Sequence, residues 1–238
     1  MSRKHDLPQY KFAQKYDATH AKTYFEKHQE GALRRLSNWR EHAMARKALE
    51  MAGRPRAVLD LPCGTGRFWG LLAEEKGRVI HVADNSQNMI DVGMTHRPPE
   101  ITRRIGSATC CSAFATGFPD NFVDCVFCFR LLHHIGKSED RVRMLKEFAR
   151  VSSGTVIVSL WVDGNYRGWR EQRRLRRKEL ERGVLEHNRY VIRRQDIEAE
   201  FAEAGLRRVG HIDFVPGWDK WRVYVLAVNK GGLASASS

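Results

Sequence analysis

The sequence contains no long apolar run. In its 238 residues no stretch approaches the roughly 20 apolar residues that a membrane-spanning helix needs. The first residues, Met1 to Lys15, are polar and basic and include no signal-peptide core. We therefore expect a cytoplasmic protein, with peripheral attachment to a membrane surface as an open alternative. The hydrophobic content of 42% suits one substantial core.

Cysteine is scarce and shows no metal-binding spacing. There are five cysteines, an odd number, and Cys125 and Cys128 form the one CxxC pair. No second CxxC or spaced His pair completes a zinc site, and in a strand these two thiols would point to opposite faces. We predict reduced, structural thiols and no metal.

Acidic residues are outnumbered by basic ones. The chain has 41 Lys and Arg against 28 Asp and Glu, a formal net charge of +13. Much of the excess lies between Arg167 and Arg194, which hold eleven Arg or Lys and four Glu. This charge predicts an anionic partner without identifying the anion.

The apolar pattern changes near Ala57. Ala18 to Ala52 reads as helical, whereas short apolar runs alternate with amphipathic segments from Ala57 onward, which predicts an α/β fold with a doubly wound sheet. Seven strands are predicted, the fourth from Val123 to Arg130, and the predicted helices include about Gly66 to Lys76 and Ser138 to Val151. The last two strands are separated only by residues 216–219 and should pair antiparallel. We predict a helical lead-in (1–56), one domain (57–230) with a basic helical insertion at about 166–194, and a disordered tail (231–238).

A glycine turn follows the first predicted strand. Gly64 and Gly66 would let a ligand approach the backbone, and free amides at the following helix start would favour a carboxylate or phosphate. The next strand ends at Asp84, where a carboxylate can accept both hydroxyls of a ribose. Together they predict a nucleoside ligand. Trp69 stands where a dinucleotide-binding turn has its third glycine, which disfavours a nicotinamide cofactor.

Three segments carry a resemblance to a known family: VLDLPCGTGRF, HVADNSQNMI and GFPDNFVDCVFCFRLLHHI. In this order, they resemble motifs of the class I S-adenosylmethionine-dependent methyltransferases, over about Val58 to Lys230. The resemblance implies a Rossmann-like, seven-stranded, mostly parallel sheet with an antiparallel last strand, plus N-terminal helices that cap the site. It also implies S-adenosyl-L-methionine as cofactor and S-adenosyl-L-homocysteine as product. The cofactor-binding residues it implies are Asp60, Cys63, Gly64, Thr65, Gly66, Arg67, Asp84, Asn85, Ala113, Phe114 and Arg130.

The sequence departs from the family pattern at two places. Pro62 replaces a usual glycine and removes a backbone donor, so cofactor contacts there would come from Cys63, Gly64 and their neighbours. The family often has an acid for the adenine amino group where this chain has residues 111–114 without one. Adenine recognition would then depend on backbone groups, Ser112 or Phe114.

His133 and His134 follow the fourth predicted strand and are the candidate catalytic residues. An imidazole there could deprotonate a phenol or hydroxyl, with His133 slightly preferred, and the alternative is that it packs or hydrogen-bonds locally. Arg67 and Arg130 are candidates to pair with a carboxylate of cofactor or substrate, or are ordinary surface charges. The N-terminal helices carry further candidates to cover the cofactor, with packing in the core as the favoured alternative for the aromatic ones: Tyr16, Tyr24, Trp39 and Arg40.

The basic insertion has two interpretations. Its arginines bind an anionic substrate, a membrane surface or RNA, or the insertion is a solvated helix partly neutralised by its own glutamates. RNA is disfavoured because no RNA-binding module is visible and aromatic residues are not interleaved with the arginines.

The leading hypothesis is O-methylation of a small-molecule or lipid- or glycan-linked acceptor, with a phosphorylated acceptor included and N-methylation disfavoured. The rivals are a non-catalytic nucleoside- or RNA-binding protein on the same fold, and an RNA methyltransferase. The sequence does not predict the oligomeric state.

Overall fold

The computed structural model describes residues 32–182 and 189–229. The predictions for Met1 to Lys15, Tyr16, Tyr24 and the tail 231–238 lie outside the described residues. Within the described ranges, no helix is both long and apolar enough to cross a bilayer. Where the protein resides in the cell stays a prediction.

Seven strands form one sheet in the order β3-β2-β1-β4-β5-β7-β6. β7 pairs antiparallel with both β5 and β6, and the other neighbouring pairs are parallel. The strands are β1 Ala57–Asp60, β2 Val79–Asp84, β3 Ile105–Cys110, β4 Val123–Cys128, β5 Ser152–Trp161, β6 Leu206–Asp213 and β7 Trp221–Val228. The predicted fold class is confirmed, including the antiparallel pairing of the last two strands.

Helices cover both faces of the sheet. The helices are α1 Ala32–Met51, α2 Trp69–Leu72, α3 Gln87–His96, α4 Pro99–Thr102, α5 Ser138–Val151, α6 Tyr166–Arg182 and α7 Arg194–Glu203, with a 3₁₀ turn at Leu132–His134. Apolar residues of α1, α2 and α3 pack on one face, and those of α5 and α7 pack on the other. Central strands are therefore buried on both sides, which explains their continuous apolar runs.

The alternation in β4 decides the environment of the two closely spaced cysteines. Cys125 packs with the α1 side of the core, and Cys128 packs with the α5 side. The prediction that they point to opposite faces is confirmed, and all five cysteines are free thiols. Among residues 32–182 and 189–229, no group of three His, Cys, Asp or Glu side chains is arranged to hold a metal ion.

The structure differs from the predicted boundaries near the glycine turn. We expected a helix from about Gly66, but α2 begins only at Trp69. Gly64 and Gly66 have φ of +54° and +73°, so the chain passes through left-handed turns before it becomes helical. β4 likewise ends at Cys128 instead of Arg130, because Arg130 has a φ of +66° and leaves the extended conformation.

Candidate active site

The glycine turn is bonded to its own sheet. The Cys63 amide donates to the Ala83 carbonyl at 2.8 Å, and the Gly64 amide donates to Asp84 Oδ2 at 2.9 Å. The Gly66 amide bonds back to the Cys63 carbonyl at 3.0 Å. The free amides were expected at the helix start, predicted at about Gly66, and that expectation is wrong for the Gly66 amide. What the turn offers a ligand is close approach to the backbone, while its amides hold the turn against β2.

Asp84 ends β2 and is almost completely buried. Its carboxylate accepts hydrogen bonds from the amides of Gly64 and Ser86, at 2.9 and 3.0 Å. Burial raises the pKa of Asp84, and the amide hydrogen bonds from Gly64, Ser86 and Asn85 oppose that rise. The carboxylate is thereby fixed at the carboxyl end of the strand, as its predicted role of binding ribose hydroxyls requires.

Asp60 ends β1, the neighbouring strand, and is 1% exposed. Its Oδ2 has no hydrogen-bond partner in the described part of the chain. Burial, and next the charge of Asp84, raise the pKa of Asp60 well above that of an ordinary carboxyl, and the nearby indole N–H of Trp69 opposes part of that rise. A buried acceptor without a partner costs free energy, so this atom suits a cationic ligand group such as the ammonium of an amino acid.

Trp69 fills the space beside the glycine turn. A Cβ on Gly66 would lie 2.5 Å from the indole ring, and a Cβ on Gly93 in α3 would lie 2.8 Å from its far edge. Trp69 itself is completely buried. Glycine at both positions therefore accommodates one large side chain, whereas a dinucleotide-binding turn has glycine in place of Trp69.

Arg67 and Arg130 are joined by a residue that the sequence analysis missed. Glu41 in α1 lies 3.1 Å from Arg67 Nη2 and 3.3 Å from Arg130 Nη1, measured from its carboxylate oxygens. The carboxylate that pairs with both arginines thus comes from this chain, and their contact with a cofactor stays a prediction. The sequence did contain a signal for the burial of Glu41, because Glu41 lies on the same helix face as Met44 and Ala48, which are buried in the core.

α1 is held to the far side of the sheet by Arg40. Its guanidinium donates to the backbone carbonyls of Asp213 and Phe214, at 2.7 and 2.8 Å. Arg40 therefore fixes α1 against the end of β6. Trp39 is exposed, so its interpretation as a core residue was wrong.

The segment after β3 carries the predicted adenine contacts. Ser112 Oγ accepts the Phe114 amide at 3.2 Å, which closes a local turn around Ala113. Phe114 is half-buried against the core. The nearby acid Glu147, from α5, accepts hydrogen bonds from the amide and hydroxyl of Thr116. Adenine binding by Ala113 and Phe114 stays a prediction.

His133 lies in an aromatic cluster beyond the ends of β4 and β5. The aromatic cluster consists of His133, His134, Trp161 and Trp221. The His133 ring is 4.2 Å from that of His134, 4.9 Å from Trp161, on which it stacks, and 5.0 Å from Trp221. His133 is 2% exposed, and its Nδ1 has no hydrogen-bond partner in the described ranges.

The imidazole of His133 is neutral near pH 7. Burial lowers its pKa well below the usual value, and the charges of His134, Arg130, Arg189 and Lys220 lower it further. A neutral imidazole can accept a proton, which keeps the predicted base role open, and its packing between indoles equally fits the structural alternative. The base role of His134 also stays a prediction.

Three cations surround the aromatic cluster. Lys220 Nζ lies 3.6 Å from the ring centroid of Trp161, and the guanidinium of Arg189 lies 5.5 Å from the same ring. Arg130 lies 5.4 Å from the ring of Trp221. The extended backbone next to Arg189 covers His133, because the Tyr190 amide donates to the His133 carbonyl at 2.8 Å.

The topology brings the predicted residues to one edge of the sheet. Strands β3, β2, β1 and β4 are parallel neighbours, so the segments after them meet at their carboxyl ends. The ends of β1 and β2 supply the buried carboxylates, and the segment after β4 supplies Arg130, His133 and His134. Trp161, at the end of β5, and Trp221, at the start of β7, complete the aromatic cluster. Among the described residues, Glu41, Arg189, Lys220 and Trp221 join this edge without having been named as site residues from the sequence.

Comparisons with known proteins agree with this arrangement. Residues 59–158 match a family described as Methyltransferase domain. The chain is 26% identical over 129 residues to tRNA (carboxymethyluridine(34)-5-O)-methyltransferase ALKBH8 of Mus musculus, covering 53% of this chain and 18% of that protein. The match thus spans less than a fifth of the mouse protein.

Solved structures share the fold. Magnesium protoporphyrin IX methyltransferase (ChlM) from Synechocystis PCC 6803, with bound SAH, superposes with a TM-score of 0.68 at 14% identity, covering 91% of this chain and 98% of that one. Geranyl diphosphate C-methyltransferase from Streptomyces coelicolor A3(2) gives a TM-score of 0.58 at 13% identity, covering 79% of each chain. The family match extends from β1 into β5 and includes both buried carboxylates, so the comparisons identify a methyltransferase domain in this part of the chain, with a fold that holds SAH in the Synechocystis enzyme.

Proposed function

We propose that this chain transfers the methyl group of S-adenosylmethionine to an oxygen of an anionic acceptor held against the aromatic cluster. One observation carries the proposal: Arg130, Arg189 and Lys220 all face the indoles next to His133. Glu41 and Glu171 are the carboxylates that pair with Arg130 and Lys220. Cations that stay in excess at a partly desolvated site attract a negatively charged acceptor.

The buried carboxylates fit the cofactor. Asp84 would accept the ribose hydroxyls, and the unpartnered Oδ2 of Asp60 would accept the ammonium of the methionine end. When bound, the cofactor supplies an electrophilic methyl group on a sulfonium. Because methyl transfer neutralises charge, the main task of the chain is to bring the acceptor oxygen into line with that methyl.

The need for a base depends on the acceptor. A carboxylate or phosphate oxygen is already ionised near pH 7 and needs no proton removed. A hydroxyl acceptor must lose a proton, and the neutral imidazole of His133 is the group in the aromatic cluster that we assign to accept it. The proposal therefore separates two acceptor chemistries by their dependence on His133.

The names of the relatives support an anionic acceptor. The mouse relative is named for a carboxymethyluridine of tRNA, which carries a carboxylate. The Streptomyces structure is a complex with geranyl diphosphate, which carries phosphates. Among the predicted acceptors, these names favour carboxylated or phosphorylated molecules, whether small or linked to a lipid or glycan.

Calorimetry with S-adenosylmethionine and S-adenosylhomocysteine tests the cofactor site. Asp84→Asn should weaken binding by at least about tenfold, because it removes a charged acceptor from the ribose hydroxyls. Asp91→Asn is the matched control, since Asp91 is an exposed carboxylate on α3. No binding of either ligand at millimolar concentration refutes the proposal.

A panel of acceptors with labelled cofactor tests the substrate class. Each carboxylated or phosphorylated acceptor is paired with its neutral amide or ester. Lys220→Gln should raise KM for the anionic member and leave the neutral one unchanged, whereas the exposed control Lys76→Gln should change neither. Equal turnover of both members contradicts the anionic acceptor, and cofactor binding without any transfer favours the non-catalytic rival.

A further inference from the structure

An exposed groove beside α6 combines aromatic rings with arginines. It has a volume of about 470 Å³ and lies between the first turns of α6 and the loop joining β6 to β7. We name it the α6 groove; its lining residues are Tyr166, Arg167, Arg170, Glu171, Arg174, Trp218 and Lys220. Four of these are cations. Asp219 pairs with Arg167, and Glu171 pairs with Arg174 and Lys220, so the four cations outnumber the two carboxylates and the groove suits an anion.

The aromatic rings of this region are stacked and accessible. Tyr166 stacks on Trp218 with ring centroids 4.7 Å apart, and Trp169 follows at 6.0 Å from Tyr166. Arg173 lies over the Trp169 ring at 4.8 Å. Trp169 and Trp218 are 51% and 53% exposed, although large apolar side chains gain free energy from burial. Tyr166 occupies one face of Trp218 and Arg173 one face of Trp169, so a ligand would stack on the other face of each indole.

The tertiary structure creates an arrangement that the linear sequence lacks. Along the chain the arginines of α6 stand apart from most aromatic residues, which disfavoured nucleic acid. The loop from β6 to β7 inserts Trp218 beside Tyr166, where backbone hydrogen bonds from Tyr166 and Arg167 to the carbonyls of Gly217 and Trp218 hold it. Aromatic rings and arginines are thus interleaved in space.

Cations continue along α6 beyond the groove. Arg170 and Arg174 also belong to an adjoining surface formed by the second half of the helix, whose other members are Arg173, Arg176, Arg177 and Leu180. From Arg170 to Arg177 the helix rises about 10 Å, which matches about two or three phosphates of one strand. The spacing therefore favours a strand of linked phosphates over a single anion.

The groove leads to the proposed acceptor position. Lys220 lines the groove and also lies 3.6 Å from the ring of Trp161, which stacks on His133. A strand in the groove would thus have a neighbouring nucleotide within reach of the aromatic cluster.

We propose that the α6 groove binds single-stranded nucleic acid, with bases stacked on Trp169 and Trp218 and phosphates paired with the arginines, and that the methyl acceptor is a nucleotide of that strand. This inference rests on the proposed function for its second half, and the binding half is measured without turnover. Stacking explains the exposed indoles, and because indoles also partition into membrane interfaces, lipid vesicles are included in the test.

Fluorescence anisotropy of the full chain tests the binding. The probes are labelled oligouridylate RNA and oligothymidylate DNA of about 12 nucleotides, and their comparison separates the two sources of strand. Trp169→Ala and Trp218→Ala should each weaken binding about tenfold, because each removes one stacked base. Trp218→Tyr should restore most of the affinity, and Trp39→Ala, which alters an exposed tryptophan on α1, is the matched control.

Salt dependence tests the arginines. For a single strand, each neutralised phosphate contributes about 0.7 to the slope of log K against log salt, so Arg170→Gln, Arg173→Gln and Arg177→Gln together should reduce that slope by about 2. The control removes three exposed cations elsewhere, at Lys76, Arg103 and Arg207. This control variant should change the slope less than the triple variant on α6 does.

Three outcomes overturn the inference. The first is that a duplex binds as tightly as a single strand and the tryptophan substitutions have no effect. The second is that the chain binds phosphatidylglycerol vesicles and neither oligonucleotide. The third is that the matched control variants lose as much oligonucleotide affinity as the groove variants. Methylation of small anionic acceptors without oligonucleotide binding refutes this inference alone. Oligonucleotide binding without methyl transfer to any anionic acceptor refutes the proposed function, and with it the nucleotide acceptor, while the binding half of this inference stands.

Discussion

Glu41→Gln tests whether one buried carboxylate holds α1 to the active site. The Glu41 side chain is 8% exposed and pairs with Arg67, which is 12% exposed, and with Arg130, which is 34% exposed. Glutamine keeps the volume and removes the charge. Both guanidiniums then lose their carboxylate while the surrounding packing is unchanged.

The expected cost follows from the burial of the two pairs. Removing one partner of a buried ion pair costs about 3–5 kcal/mol, because the other charge stays desolvated. Arg130 contributes less, since a third of its side chain is exposed and solvent screens it. We expect a loss of about 3 kcal/mol in the free energy of unfolding, which is about 6–12 °C in Tm for a chain of this size.

Urea unfolding and calorimetry measure this loss. Glu50→Gln on the same helix is the control, because Glu50 is exposed and pairs with Lys47 at 3.5 Å, so its change should stay within about 0.5 kcal/mol. In a double-mutant cycle, Glu41→Gln with Arg67→Met should cost less than the sum of the single changes. A Glu41→Gln variant as stable as the unaltered chain refutes the reasoning.

Three further changes have defined outcomes. Gly93→Ala should lower the free energy of unfolding, measured by urea denaturation, by about 1–2 kcal/mol. Overpacking of the new methyl group against Trp69 outweighs the roughly 1 kcal/mol that alanine gains over glycine in a helix. A variant more stable than the unaltered chain contradicts this prediction. Because the pKa of Asp60 is raised in the folded state, the free energy of unfolding falls as pH rises from the ordinary carboxyl range towards the folded-state pKa. Asp60→Asn should therefore raise Tm near pH 8 and not near pH 4. Equal shifts in Tm at both pH values contradict this prediction. His133→Ala should lower kcat for a hydroxyl acceptor by a factor of about 10²–10⁴ and leave kcat for an ionised acceptor unchanged. His134→Ala is compared in the same assay. Unchanged turnover in both variants removes the histidines from the mechanism.

Much of the fold followed from local patterns. The amphipathic period of Ser138–Val151 predicted α5 with the observed bounds, because its apolar residues recur at helical spacing and pack in the core. The apolar run beginning at Val123 predicted β4, since a strand covered on both faces needs no polar alternation. Seven residues, 214–220, connect β6 to β7, and a connection this short is too short for a parallel crossover, so the two strands pair antiparallel.

Hydrogen-bond partners from distant parts of the chain were beyond the reach of the sequence. The amides of Cys63 and Gly64 are bonded to Ala83 and Asp84, which belong to the next strand, and the sequence analysis did not predict these partners. Partnering at this distance depends on the register between β1 and β2. No local propensity encodes that register.

The sequence alone determined the sheet, its glycine turn and the two acidic strand ends, because periodicity, turn chemistry and strand termini are local properties that act over a few residues. Only the tertiary structure decided which charges meet. It placed Glu41 between Arg67 and Arg130, and it brought Lys220 to Trp161, because those neighbours are separated along the chain and are joined by packing of whole elements.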